Sequence, residues 1–339
     1  MPDSSLGLLI LIIILAVGFG VVNGFNDAAN AIAPAIGTRA LSPRNALIIA
    51  AVANFAGAAT GTAVAHTIGK GILVQEVISY PVVIAALASI IVWGTLATKA
   101  GLPISIHHGF IAGLVGAGMA VAGSKAVVWS IMRWILAAVA IAPSLGFAGG
   151  FVVMVGLYWL LRHSAPDKMR RFFSKLQWLS TAFMAYSHGK NDGQMPIGVI
   201  TMALVIFYKD TGIWDRLSLL DPNLWWVIVI SALAISSGMA MGGWRVIKTV
   251  GMRMTTLRPV HGFTAHVSAA TVIEIGSHFG MPVSTTHCVS ASVMGVGATQ
   301  RFSAVRWGVA GNIITAWILT FPICGVLGYL FTWLLKLIF

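Results

Sequence analysis

Gly280-Met281-Pro282-Val283-Ser284-Thr285-Thr286-His287 repeats a stretch found earlier in the chain, Gly101-Leu102-Pro103-Ile104-Ser105-Ile106-His107-His108. In each copy a glycine breaks the preceding helix, a proline suits the start of a new one, and a serine is a good N-cap. Helices are therefore expected to begin at Ser105 and Ser284. The offset of 179 also pairs Gly116 with Gly295, Gly118 with Gly297, Pro143 with Pro322, Gly146 with Gly325 and Gly149 with Gly328. Two more motifs recur in the same order. Gly24-Phe25-Asn26-Asp27 matches Gly189-Lys190-Asn191-Asp192, and Gly61 with Thr67-Ile68-Gly69 matches Gly243 with Thr249-Val250-Gly251. Three motifs in one order identify an internal duplication.

The duplicated unit is apolar. Of 339 residues, 58% are hydrophobic and 9% charged, and the mean hydropathy is +0.90. Soluble domains average about 25% charged residues. The composition excludes an ordinary soluble enzyme, a disordered protein and a coiled coil. Transmembrane barrels alternate apolar and polar residues, whereas these apolar runs are continuous. The fold class is therefore all-α: a polytopic membrane protein of the cell membrane, surrounded by lipid bilayer. The net charge of +12 comes from Lys and Arg in short loops between apolar runs, a topology-setting pattern, so nucleic acid is not an expected partner. Cys288 and Cys324 lie in apolar runs and support neither a disulfide framework nor a metal cluster. Met1-Pro2-Asp3 carries no basic leader, and Leu6–Val22 reads as a retained helix.

Charge asymmetry orients the halves. Segment 162–175 carries five basic residues against Asp167, and segment 245–258 carries four with no acid. Both read as cytoplasmic. Segments 66–81 and 208–224 read as external. The segment after Thr67-Ile68-Gly69 is then outside and its repeat mate inside. The expected organisation is repeat 1 over 1–161, a cytoplasmic basic linker over 162–175, and an inverted repeat 2 over 176–339, with both termini external. Inverted-topology repeats characterise secondary transporters, whose sites lie near the midplane. The apolar runs are 6–38, 46–65, 82–100, 103–122 and 127–161, then 176–207, 225–243, 259–279, 282–299 and 307–335. Runs 6–38, 127–161, 176–207 and 307–335 exceed one span of about 20 residues and are expected to be broken helices. The pairs 82–100/103–122 and 259–279/282–299 are either crossings or re-entrant hairpins with Pro103 and Pro282 at their tips.

Three of the nine acids, Asp27, Asp192 and Glu274, fall inside apolar stretches. A carboxylate at membrane depth costs at least about 2.5–3.5 kcal/mol and marks a substrate or ion path by default. For Glu274, near Gly280, snorkelling to an interface is the alternative. Asn23, Asn26, Asp27 and Asn30 form one polar stripe at helical spacing. Amide and carboxylate oxygens suit Na⁺, and a carboxylate also carries a proton; the alternative is interhelical hydrogen-bond glue. The helix starts at Ser105 and Ser284 offer free N–H groups and a positive dipole end to an anion, with Thr285 and Thr286 adding hydroxyls. His108 and His287 hold equivalent places, suited to binding the anion or carrying a proton. His66, His163 and His278 read as packed residues. Lys190 either neutralises Asp192 or attracts anion. Trp129, Trp159, Trp225, Trp226 and Trp333 read as interfacial anchors.

Gly24-Phe25-Asn26-Asp27-Ala28-Ala29-Asn30-Ala31, His188-Gly189-Lys190-Asn191-Asp192-Gly193-Gln194 and the two Gly-x-Pro-x-Ser-x-x-His segments resemble the inorganic phosphate transporter (Pit) family along essentially the whole chain. The resemblance implies a secondary symporter moving phosphate with Na⁺ or H⁺, in some bacterial members as a metal–phosphate complex. It implies inverted repeats with re-entrant hairpins, and homodimers in some members. It places Asn26, Asp27, Asn30, Asn191, Asp192 and Gln194 at the phosphate and cation sites, and Ser105, Ser284, Thr285 and Thr286 on phosphate. Position 195 is Met where many members repeat Asn, and Ile106 and His107 stand where the second half has Thr285 and Thr286. The site is thus expected to be asymmetric.

The expected activity is cation-coupled phosphate symport by alternating access. No cofactor is expected beyond the coupling ion, Na⁺ or H⁺, and no resident metal is assigned. A symporter for sulfate or a related oxyanion shares the architecture. A channel would rely on continuous pore-lining rings. An intramembrane enzyme would need a nucleophile–base pair or metal triad, and the HxxxH, HExxH and Gly-x-Ser-x-Gly patterns are absent.

Overall fold

The computed structural model describes residues 5–338, so the reading of Met1-Pro2-Asp3 lies outside the described residues. The described chain is helical: α1 Leu6–Gly37, α2 Pro43–Ala58, α3 Ala63–Gly71, α4 Tyr80–Ala100, α5 Ile106–Ala122, α6 Trp129–Leu160 and α7 Pro166–Asp192, then α8 Gln194–Tyr208, α9 Ile213–Arg216, α10 Trp225–Met241, α11 Trp244–Lys248, α12 Pro259–His278, α13 Thr285–Ala298 and α14 Trp307–Ile338. Among the described residues five helices are long and apolar enough to span a membrane, and up to seven spans result if each bent pair counts as one.

The breaks fall elsewhere than the run lengths suggest. Run 176–207 is broken at Gly193, between α7 and α8. Runs 6–38, 127–161 and 307–335 are instead continuous helices of 32 residues, with Pro34, Pro143 and Pro322 inside them. A proline deletes one backbone hydrogen bond, and neighbouring helices and local adjustment tolerate that in a membrane protein. Thirty-two residues measure about 48 Å, so these helices tilt or project beyond a hydrocarbon core of about 30 Å. The sharp bends lie between α2 and α3, at 65°, and between α10 and α11, at 60°. The basic stretch 162–175 is less a loop than expected, because α7 already begins at Pro166.

Contacts between the two halves come in matching pairs. α1 packs chiefly on α10 and its counterpart α7 on α2; α5 packs on α14 and its counterpart α13 on α6. Glycines set the closest crossings. A Cβ on Gly24 would lie 1.9 Å from the Ile235 carbonyl oxygen, and one on Gly189 would lie 2.0 Å from that of Asn54. Thr67 Oγ1 donates to the Gly280 carbonyl at 2.7 Å, and its sequence mate Thr249 donates to the Gly101 carbonyl at 2.9 Å. Gly101 and Gly280 both take the left-handed region, φ 75° and 66°, at the ends of the helices that precede the proline turns.

Two apolar cores meet along α1. One gathers its first half with α3, α4, α5 and α8, and the other gathers its second half with α2, α7, α12 and α13. The outer faces are apolar as well: Ile14, Trp134, Val152, Ile318 and Leu337 are all exposed. In water that would be an aggregation surface, but against lipid tails it carries no penalty. Trp129, Trp159, Trp225 and Trp333 are exposed, as anchors require, while Trp226 is half-buried.

Candidate functional site

The two proline turns are buried in protein, where irregular backbone is tolerated. Each ends at a capped helix start. Ser105 Oγ accepts from His108 N, and Ser284 Oγ accepts from His287 N, both at 3.2 Å. The expected starts of α5 and α13 are therefore present. The turns also touch, since Thr286 Oγ1 lies 2.9 Å from the Ile104 carbonyl oxygen.

Each helix start sits against the acid of the other half. Thr286 Oγ1 is 3.1 Å from Asp27 Oδ1 and Thr285 Oγ1 is 3.4 Å from Asp27 Oδ2. Asn30, one turn beyond Asp27, donates from Nδ2 to Thr286 Oγ1 at 3.0 Å and to Thr285 Oγ1 at 3.4 Å. In the mirror position, His107 Nδ1 lies 3.6 Å from Asp192 Oδ1. His107 and Thr286 are sequence mates, so the same geometry is built once with a hydroxyl and once with a ring.

His188 joins the two acids. Its Nε2 lies 3.6 Å from Asp27 Oδ2 and 3.7 Å from Asp192 Oδ2, and its Nδ1 is fixed 2.7 Å from Asn54 Oδ1. Asp27, His188 and Asp192 each present one ligand atom, all within 4.8 Å of one another. Sequence reading did not single out His188. The signal was available: it stands four residues before Asp192, on the same helix face, and matches Asn23 of the first stripe at the offset of 165 that pairs Asp192 with Asp27.

Electrostatics follow from burial. Asp27 and Asp192 are each 1% exposed. Among the described residues their ion-pair partners are His107 and His188. A buried charge persists only when paired. Two carboxylates face two imidazoles, so the cluster is neutral only with both rings protonated and is otherwise net negative. With either ring neutral, a cation or proton offsets the remaining charge. The carbonyl oxygens of Asn23, Asn26 and Asn30 are buried with no hydrogen-bond partner among the described residues, and amide oxygens are hard ligands.

The remaining candidates are placed as follows. Asn191 donates to Asp192 Oδ1 at 2.8 Å and to the Val283 carbonyl at 2.5 Å, tying the acid to the second proline turn. Asn26 donates to Thr98 Oγ1 at 2.6 Å and, more loosely at 3.5 Å, to the Leu102 carbonyl, beside the first turn. Gln194 is turned to another task. Its Oε1 accepts from the amides of Val64 at 2.7 Å and Ala65 at 3.1 Å, at the start of α3. His108 is drawn away from the acids by ring packing, 4.9 Å from His287 and 5.2 Å from Phe321 between centroids. Lys190 pairs with Glu274 at 2.6 Å, both side chains about a quarter exposed or less. Lys190 is thus paired with Glu274 and not with Asp192. His66 packs on Trp214, whereas His163 and His278 are exposed, with contacts to their chain neighbours Arg162 and Phe279.

Buried acids and amides set between helices of the two halves mark a path for a solute or ion. A profile of the phosphate transporter family matches residues 23–328. The chain belongs to that family. It is 38% identical to a protein of Bacillus subtilis described as a probable low-affinity inorganic phosphate transporter, over 99% of this chain and all of that protein. A protein of Rhizobium meliloti with the same description is 36% identical over 97% of each chain. A solved structure described as the sodium-dependent phosphate transporter superposes with a TM-score of 0.89 at 27% identity, covering 98% of this chain and 100% of that one.

Proposed function

We propose that this phosphate transporter is a cation-coupled symporter that works by alternating access, with phosphate bound where the α5 and α13 starts converge and the coupling cation held by Asp27, Asp192 and the neighbouring amides. The observation that carries the reading is the crossed pairing of each helix start with the acid of the other half. An anion at two capped helix starts meets free N–H groups, while the acids beneath it repel that anion unless a cation or proton is present. Binding of the two solutes is thereby coupled: each raises the affinity for the other by the same factor. In this reading Ser105, Ser284, Thr285, Thr286 and Asn30 contact phosphate, and Gln194 and His108 support the site from its edge.

The two halves act as inverted repeats, with 162–175 cytoplasmic and both termini external. The paired contacts between counterpart helices support this arrangement, and rocking of one half against the other is the common motion of such folds. The donor set accommodates either ion. Unpartnered Asn carbonyls suit Na⁺, and an imidazole shared by two carboxylates suits H⁺.

Proteoliposomes loaded against imposed sodium or proton gradients test the proposal. Labelled phosphate is expected to accumulate with one of the two gradients and not with neither. Flux that ignores both gradients and never saturates would replace the symporter with a channel. Competition by sulfate in place of phosphate would move the substrate to another oxyanion, and a requirement for divalent metal would make the substrate a metal–phosphate complex.

A further inference from the structure

At the far end of α6, remote in sequence from the paired acids, a cavity of about 480 Å³ opens between α6, the start of α7 and the start of α12. Its floor is apolar: Met154 and Phe173 are buried, and Leu157 lies beside them. Its rim carries Arg162, Arg170 and Arg258 against a single acid, Asp167. Asp167 is 3.4 Å from Arg170, and the two side chains are 78% and 69% exposed, so this pair is weak and easily exchanged. The adjoining face of α6, Trp159 and Leu160, is 69% and 77% exposed. In a membrane-spanning chain such exposed apolar side chains beside the cavity suit contact with lipid.

We propose that this cavity holds an anionic phospholipid, its phosphodiester among Arg162, Arg170 and Arg258 and the start of one acyl chain along Met154, Leu157 and Phe173. Charge and shape argue together. Three guanidiniums match a phosphate in planar, multiply bonded geometry. The apolar floor has no use for a free inorganic anion, whereas it continues the surface of a lipid tail. Basic pockets beside transmembrane helices on the positively charged side recruit anionic headgroups, and the segment concerned is the basic stretch read as cytoplasmic. A lipid seated here bridges α6 of the first half to α7 and α12 of the second, at the joint between them. The site is independent of which solute the protein carries.

Native mass spectrometry of the full-length chain with added palmitoyl-oleoyl phosphatidylglycerol or phosphatidylcholine tests it. Phosphatidylglycerol adducts are expected to outlast phosphatidylcholine adducts. The double variant R170Q/R258Q is expected to lower phosphatidylglycerol affinity about 25-fold, at roughly fivefold per arginine. The variant K168Q/R171Q removes the same amount of charge beside Arg170 but outside the cavity and is expected to keep wild-type binding. Equal losses in the two variants, or no headgroup preference in the wild type, overturn the proposal. Inorganic phosphate alone forms the third arm. Stabilisation by phosphate that vanishes in R170Q/R258Q, without phosphatidylglycerol preference, gives the cavity to a free anion and likewise overturns it. If R170Q/R258Q does not fold, photoactivatable phosphatidylglycerol on the wild type decides: label on the cavity residues within 154–173 or 258–260 supports the lipid site, and label confined elsewhere rejects it.

Discussion

At the scale of single residues the protein places its most costly groups where they hold one another. Asp27 is buried yet meets Thr285, Thr286 and the His188 ring. Asp27→Asn keeps the shape, removes the charge and turns one of the two accepting oxygens into a donor. We expect it to insert normally and to lose accumulation of labelled phosphate in proteoliposomes; wild-type uptake would take Asp27 out of the mechanism. His188→Asn is the complementary test, because it installs the residue type that the first half carries at position 23. It leaves Asp27 and Asp192 without their shared partner, and losing one member of a buried charged set costs about 3–5 kcal/mol. The thermal midpoint in detergent is expected to fall and to recover partly in sodium. An unchanged midpoint would show that the ring takes no part in balancing the acids.

At the scale of elements, glycine decides how close helices approach, and that approach brings the acids together. α7 crosses α2 at Gly189 with backbone atoms so near that a methyl group there would sit 2.0 Å from the Asn54 carbonyl oxygen. Asn54 is also the residue that fixes His188. Overpacking costs typically about 1–3 kcal/mol and more when the obstruction is backbone. Gly189→Ala is therefore expected to reduce the yield of folded protein or, where it folds, to reduce uptake through displacement of His188. Gly156→Ala serves as the control, because a Cβ there meets nothing within 4 Å, and it should behave as wild type.

At the scale of the whole molecule, the proposed inversion of the halves puts matched segments on opposite sides of the membrane. Lys168→Cys and Ser218→Cys place thiols on exposed positions of the stretch read as cytoplasmic and the stretch read as external. The native Cys288 and Cys324 are buried and give a low background. In right-side-out vesicles an impermeant maleimide is expected to label the thiol at 218 at once and the thiol at 168 only after permeabilisation. Labelling of both from one side would end the inverted arrangement.

The membrane class and the two helix starts were legible in the chain because each rests on local physics. Apolar length decides what enters a bilayer, and Gly, Pro and Ser decide where one helix stops and the next is capped. The duplication was legible because motif order is a property of sequence. Location of the breaks was not: Pro143 and Pro322 suggested interruptions, yet α6 and α14 run through them because neighbouring helices offset one lost hydrogen bond. Nor did the sequence decide that Gln194 would brace α3, that Lys190 would turn to Glu274, or that His188 would stand between residues 27 and 192. Apart from the His188–Asp192 contact within α7, those outcomes join positions more than eighty residues apart, which only tertiary packing brings within reach.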